Sequence, residues 1–154
     1  MIYELIIVGG GAAGLFAAAN IKGVKTALLE KNDIFGRKLL VAGSGKCNIT
    51  HEGKISEFLD KYGKNGKFLK KSLMQFDNKS VIEFFEKRGI ECFADKNGKI
   101  FPKSEKAKDI VEALLKTGEK NGVEYLCKTP VSEISYEDGI FIIKSREKIY
   151  KSEQ

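Results

Sequence analysis

A run of glycines set between an apolar strand and an apolar helix near the N-terminus constrains this chain more than any other feature. Ile6, Ile7 and Val8 end an apolar stretch, Ile2 to Val8, of the kind that parallel sheets bury on both faces. Gly9, Gly11 and Gly14 follow as G-x-G-x-x-G. Ala12 to Lys22, mostly Ala and Leu, predicts a helix stopped near Gly23, and Lys25 to Glu30 predicts a second buried strand. The unit is β-turn-α-β, and a parallel connection of that kind is right-handed. Glu30 stands 21 residues after Gly9, at the end of the second strand. In such a fingerprint the first glycine allows the tight turn, the second lets backbone approach a pyrophosphate, and the third lets helix pack on strand. The helix N-terminus offers unpaired N–H groups and a positive dipole end to phosphate. Glu30 can accept hydrogen bonds from a ribose diol and would repel a 2′-phosphate. The expected fold is therefore α/β and Rossmann-like, with dinucleotide binding at the first turn.

The rest of the chain fits that frame. Residues 33 to 54, rich in glycine and basic residues around Leu39 to Ala42, predict a short helix running into a long functional loop. Phe58, Tyr62, Phe68, Leu69, Leu73 and Phe76 recur at helical spacing, and Val81 to Phe85 mark a helix ending near Gly89. Asn97-Gly98 predicts a hairpin between Ile90 to Phe93 and Lys99 to Phe101. A helix capped by Ser104 should run to Asn121-Gly122 and lead into a third parallel strand, Val123 to Cys127. Val131 to Tyr136 and Ile140 to Lys144 alternate around Asp138-Gly139 as a second hairpin, with Lys148 to Lys151 a further strand. The parallel strands should lie in the order 3-2-1 beside this meander.

Composition removes several classes. The formal charge of +6 comes from 27 Lys plus Arg against 21 Asp plus Glu, and the basic residues from Lys61 to Lys151 read as interleaved with acids, so no nucleic-acid partner is expected. Cys47, Cys92 and Cys127 are widely spaced with one histidine, His51, which points to a reducing compartment and no metal site. Leu5 to Ile21 is uncharged for 17 residues but carries four glycines and lacks a basic leader, so no membrane segment is read there and a cytoplasmic location is expected. Gly43-Ser44-Gly45-Lys46 fails as a P-loop, because Leu40 stands where its first glycine belongs and Cys47 where its hydroxyl belongs.

Two longer segments carry a resemblance. Gly36-Arg37-Lys38-Leu39-Leu40-Val41-Ala42-Gly43-Ser44-Gly45-Lys46-Cys47-Asn48-Ile49-Thr50 is similar to the G-R-K-L-L-x-S-G-G-G-R-C-N-x-T signature of the BaiN-like flavoproteins, a family of FAD-dependent oxidoreductases with aminoacetone-oxidase-like members. Gly98 to Ser104 resembles that family's second signature, G-R-x-F-P-x-S followed by a helix. The resemblance implies that Gly9, Gly11, Ala13 and Gly14 meet the pyrophosphate of FAD and Glu30 the adenosine ribose. It places Lys31, Arg37, Lys38, Gly45, Cys47 and Asn48 around ribose, pyrophosphate and flavin, and Val131 on a strand whose backbone meets the adenine. Lys46, Ser44 and His51 depart from the family's Arg, Gly and Asn; lysine keeps the charge but loses the planar fork. Cys47 has no nearby partner for dithiol chemistry, Cys92 being 45 residues away, and reads as a packed or flavin-side thiol. No residue is assigned to catalysis, and His51 reads as solvated rather than as an acid or base.

Residues 1–154 are thus read as the N-terminal part of an FAD-binding Rossmann-like domain, without the family's fourth parallel strand, substrate domain or C-terminal FAD segment. Ile6 to Val8 would then be an open hydrophobic edge that invites self-association. The function implied is transfer of a hydride or electron pair between a small organic substrate and flavin, with NAD(P)H or oxygen as the other partner. The alternative is a non-catalytic module that binds NAD or another nucleotide.

Overall fold

The computed structural model describes residues 2–146 and 148–154. Its strands are β1 (Ile2–Tyr3), β2 (Leu5–Val8), β3 (Thr26–Leu29), β4 (Thr50–His51), β5 (Cys92–Ala94), β6 (Lys99–Pro102), β7 (Glu124–Leu126), β8 (Glu133–Glu137), β9 (Ile140–Ser145) and β10 (Lys148–Ser152). Its helices are α1 (Ala12–Asn20), α2 (Arg37–Val41), α3 (Ile55–Lys61), α4 (Gly66–Gln75), α5 (Asn78–Glu86) and α6 (Ala107–Lys120), with a 3-10 turn at Gly63–Asn65. They form two units, one made of Met1–Leu39 with Val111–Gln154 and the other of Leu40–Ile110.

The first unit is built on a parallel sheet of order β2-β3-β7, the expected 3-2-1 arrangement of the predicted strands. Leu5 pairs with Thr26 and Leu29 with Leu126. Every residue of β3 is buried, because the strand has a neighbour on each edge and a layer on each face. One layer is helical: Leu15, Ala18 and Ala19 of α1 are buried, and Asn121 Nδ2 at the end of α6 donates to the Ala19 carbonyl at 3.0 Å. Gly118 of α6 lies so close to Tyr125 that a Cβ there would overlap its hydroxyl. That hydroxyl is buried without a partner; desolvation, with the charge of Glu119 adding to it, pushes its pKa up to about 12.

The other layer is a four-stranded sheet of order β1-β10-β9-β8. Tyr3, Ala27, Leu29 and Ile143 form a buried cluster against which Ile6, Val131, Phe141 and Tyr150 pack. Asp138 and Gly139 have φ of 50° and 82°, the mirror-image turn that joins β8 to β9 as Asp-Gly predicts. Two expectations change here. Val131 lies before β8, not on a strand, since pairing begins at Glu133. The edge of β2 is partly closed: β10 pairs parallel with β1, and Ile6 N–H donates to the Gln154 carbonyl at 2.9 Å, while Val8 remains 49% exposed.

The second unit holds a small antiparallel sheet of order β4-β6-β5 and helices α3 to α5. Asp95 closes the β5–β6 turn, its Oδ1 accepting from the N–H groups of Asn97 and Lys99 at 2.8 and 2.9 Å. Asp77 caps α5 by accepting from Ser80 N–H at 2.8 Å, and that bond is the first cause holding its carboxyl below the usual range. Asn78 Nδ2 donates to the carbonyls of His51 and Gly53, tying α5 to β4. The helical pattern from Phe58 to Phe76 is broken by Gly63, at φ 53°, so α3 and α4 are separate and out of phase. Phe58, Leu69 and Leu73 are half-buried as the spacing requires, but Tyr62 and Phe68 face outward. Among the described residues, no helix is long and apolar enough to cross a membrane, and no His, Cys, Asp and Glu cluster is placed to hold a metal.

Candidate functional site

In the first unit the glycine turn carries the chain from β2 into α1. Gly9 has φ 102°, reserved in practice for glycine, and its N–H donates to the Leu29 carbonyl at 2.8 Å. A Cβ on Gly14 would overlap the Gly9 carbonyl oxygen, so only glycine lets helix and strand approach this closely. Gly11 is the opposite case: nothing lies within 4 Å of where its Cβ would stand. Its backbone faces open space at the N-cap of α1, which has no side-chain cap and no acid in its first turn. The first N–H groups of the helix, at Ala12, Ala13 and Gly14, are thus left to an anion from outside the chain.

Glu30 is buried at 7% exposure, directly beneath this turn. Its Oε2 accepts the Gly10 N–H at 2.7 Å, and its Oε1 accepts the Asn32 N–H at 2.8 Å and Asn32 Nδ2 at 2.5 Å. Burial by itself would raise the carboxyl pKa; the donors of Asn32 and Gly10 and the charge of Lys31 outweigh it and hold Glu30 below the ordinary carboxylate range. A carboxylate has about four acceptor positions, and three are filled, which leaves Oε2 able to take one more hydroxyl. Arg37 Nη1 continues the chain of bonds by donating to Asn32 Oδ1 at 3.2 Å. The backbone of Glu30 is also fixed, its N–H donating to Leu126 and its carbonyl accepting from Thr129, both at 2.8 Å.

Four residues beyond the fingerprint shape this site. Gly10 must be glycine, since a Cβ would overlap the Phe35 ring and lie 3.2 Å from Glu30 Cβ. Gly36, at φ 68°, donates its N–H to the Gly10 carbonyl at 2.7 Å. Asn32 and Phe35 complete the set. The three consecutive glycines at 9 to 11 were the available signal for Gly10; nothing local marks Asn32 or Phe35. Lys31 and Lys38 are exposed in the same unit.

Gly45, Cys47 and Asn48 belong to the second unit, in a loop after α2. Gly43, Ser44 and Gly45 have φ of 57°, 56° and 83°, and Cys47 has 59°, so two non-glycine residues are held left-handed. The loop is fastened by Gly45, whose carbonyl accepts the Ala107 N–H at 2.8 Å at the start of α6, and by Lys46, which meets Glu105 Oε1 at 2.6 Å. Ser104, the expected cap, instead accepts from Lys106 N–H at 3.3 Å one turn ahead of the helix. Cys47 is 2% exposed and burial pushes its thiol pKa up, the behaviour of a packed thiol. His51 sits over Gly98, with Nδ1 2.7 Å from the Glu52 carbonyl, a structural placement.

The chain is similar to known proteins in sequence and in fold. The HI0933-like protein Rossmann domain matches residues 3–154. A ribosomal RNA dihydrouridine synthase of Haemophilus influenzae is 34% identical over 85% of this chain and 32% of its own length. A 3-dehydro-bile acid delta(4,6)-reductase of Clostridium scindens is 33% identical over 70% of the chain and 27% of its length. The chain therefore spans about a third of the curated relatives it matches. In structure it superposes on L-alpha-glycerophosphate oxidase of Mycoplasma pneumoniae, solved with FAD bound, with a TM-score of 0.58 at 18% identity, covering 100% of this chain and 53% of that one. That likeness shows the fold.

Proposed function

The chain belongs to the HI0933-like Rossmann-domain family of FAD-dependent oxidoreductases, and from that premise we propose that it binds the ADP half of FAD and serves reduction of a carbon–carbon double bond. The observation that carries the reading is the joint made by Glu30 and Gly10. One carboxylate oxygen pins the phosphate turn from below and keeps acceptor capacity for a ribose hydroxyl beside it. Gly11, Ala12 and Ala13 would present N–H groups to the pyrophosphate, Arg37 and Lys38 would add positive charge, and Val131 would offer backbone to the adenine. Gly45, Cys47 and Asn48 are assigned to FAD by the family signature in which they stand. FAD supplies the two-electron carrier, with NAD(P)H the class of donor that reloads it. The two named relatives share one chemistry: uridine and a 3-oxo bile acid each present a double bond conjugated to a carbonyl, and each activity saturates it.

Titration with FAD, ADP and NAD tests this, read by flavin fluorescence and calorimetry. FAD binding that ADP competes away is the expected result. A response to NAD with none to FAD would overturn it in favour of a non-catalytic nucleotide module.

A further inference from the structure

The proposed nucleotide site needs opposite charges left free beside one another: a carboxylate to accept from ribose and a guanidinium to meet phosphate. Glu30 and Arg37 supply them, and both touch one residue, Asn32. Opposite charges this near ordinarily close into a direct ion pair, and Arg suits it because its planar fork matches a carboxylate. Such a pair would occupy the acceptor positions of Glu30 and the donors of Arg37 with each other. Among the described residues no Glu30–Arg37 ion pair forms.

Asn32 stands between them and carries no charge. Its Nδ2 donates to Glu30 Oε1 at 2.5 Å, and its Oδ1 accepts from Arg37 Nη1 at 3.2 Å. The neighbours fix which way the amide points, since a carboxylate only accepts and a guanidinium only donates. The backbone of Asn32 is held as well. Its N–H donates to the same Oε1 at 2.8 Å, and its carbonyl accepts the Lys128 N–H at 2.8 Å, next to the bond from Thr129 to the Glu30 carbonyl. The loop after β7 thus anchors the amide in place. Both Asn32 donors go to Oε1, so Oε2 keeps only the Gly10 N–H and has room for a hydroxyl. Arg37 gives one N–H to the amide and keeps the rest of its fork and its full charge.

We propose that Asn32 is a positioning residue whose amide is a neutral spacer, holding Glu30 open to the ribose diol and Arg37 open to phosphate before the nucleotide arrives. This role rests on the reading of Glu30 as the ribose carboxylate of an FAD site. Ala at this position would remove the spacer and let the guanidinium close on the carboxylate. Asp would keep the shape but set a second carboxylate against Oε1. Once protonated, that Asp would copy the amide, its hydroxyl donating to Glu30 and its carbonyl accepting from Arg37.

The groups around Glu30 leave this proton easy to follow. Lys31 lies beside it, Arg37 acts through Asn32, and Cys127 and Lys128 face it from the loop after β7, with Asp33 near the same thiol. The glycine turn and α1 add nothing, since residues 9 to 20 carry no charged side chain. Burial, with the charges of Glu30 and Asp33 adding to it, pushes the Cys127 thiol up, so it stays neutral near neutral pH.

The test makes the spacer titratable with Asn32→Asp. Carboxylates in hydrogen-bond contact hold one proton between them well above the ordinary range. FAD affinity of the whole chain, read by flavin fluorescence, should be flat for the parent from about pH 5.5 to about pH 8. In Asn32→Asp it should be at least about tenfold weaker at about pH 8 and return to within about threefold of the parent at about pH 5.5, where the protonated pair restores the donor–acceptor order. Asn32→Ala should be about tenfold weaker at every pH, and adding Arg37→Gln to it should cost little further, because the freed guanidinium is already lost to Glu30. A merely packed Asn32 would give the Asp and Ala variants the same pH-independent loss, additive with Arg37→Gln, and either result overturns the proposal. Carboxyl carbon NMR of ligand-free Asn32→Asp keeps the readings apart. A carboxyl titrating above its ordinary range there, with no FAD bound by the parent, sinks the flavin reading alone. FAD bound by the parent, with a flat Asn32→Asp profile, sinks the positioning role alone.

Discussion

The two glycine-rich loops differ in what holds them. Between β2 and α1, three glycines answer a demand within the turn, a positive φ at Gly9, open approach at Gly11 and the Gly9 carbonyl under Gly14, while Gly10 alone answers a distant side chain, the ring of Phe35. Between α2 and β4 the backbone is left-handed at Ser44 and Cys47 as well as at two glycines, and it is fixed by Glu105 and Ala107 some sixty residues on. A loop determined by its own sterics can be read from a short motif. A loop determined by distant partners cannot, because its geometry is written elsewhere in the chain.

Gly14→Val probes the first kind of constraint at its hardest point. The added atoms would overlap backbone, which cannot move without separating α1 from β2, so a loss of about 3 kcal/mol or more is expected in urea unfolding. Gly11→Ala, where space is open, should change stability by less than about 1 kcal/mol while lowering FAD affinity at least tenfold, because the methyl stands where phosphate should approach. Equal stability losses in the two variants would erase the distinction between a packing glycine and a binding glycine.

This contrast accounts for what was legible. The β-turn-α-β order, the 3-2-1 sheet and both hairpins follow from period-two and period-3.6 patterns with Gly, Asn and Asp at the turns, all short-range signals. Asn32 was not legible, since its role depends on Glu30 being brought under Gly10 by strand pairing. Tyr62 and Phe68 share the helical spacing of Phe58, Leu69 and Leu73 yet face outward, because spacing gives a face but not which way it points once Gly63 breaks the helix. The second loop was legible from its glycines as a long loop after a short helix, while its assignment to FAD came only through its resemblance to a family signature.

Glu30 sharpens the comparison by titration. Its folded pKa lies below the unfolded one, so the stability it contributes is fully present above the ordinary glutamate range and is lost as pH falls through the folded value. The difference in unfolding free energy between the parent and Glu30→Gln should therefore be constant from about pH 6 to 8 and shrink below about pH 4.5. At neutral pH, Glu30→Gln should also weaken FAD binding about ten- to hundredfold, and Glu30→Arg should weaken it more. A difference that does not vary with pH would show that the Gly10 and Asn32 donors do not select the charged form.

The smallest effect belongs to the second loop and has the opposite sign. Ser44 is held at φ 56° between two glycines that are also left-handed, a conformation that costs a residue with a Cβ roughly 1 kcal/mol relative to glycine. Ser44→Gly removes that strain but gives the unfolded chain more freedom, which offsets part of the gain. A net stabilisation of about 0.5 kcal/mol is expected, seen as a rise of one or two degrees in the thermal midpoint. If the loop were instead shaped by its own sequence, as the first is, the extra freedom would dominate and the midpoint would fall. A Glu105→Ala change read beside it decides between the two. Removing the Lys46 partner should lower the midpoint slightly in the parent and by the same amount in Ser44→Gly, because strain within the loop and its tether to α6 act on different atoms.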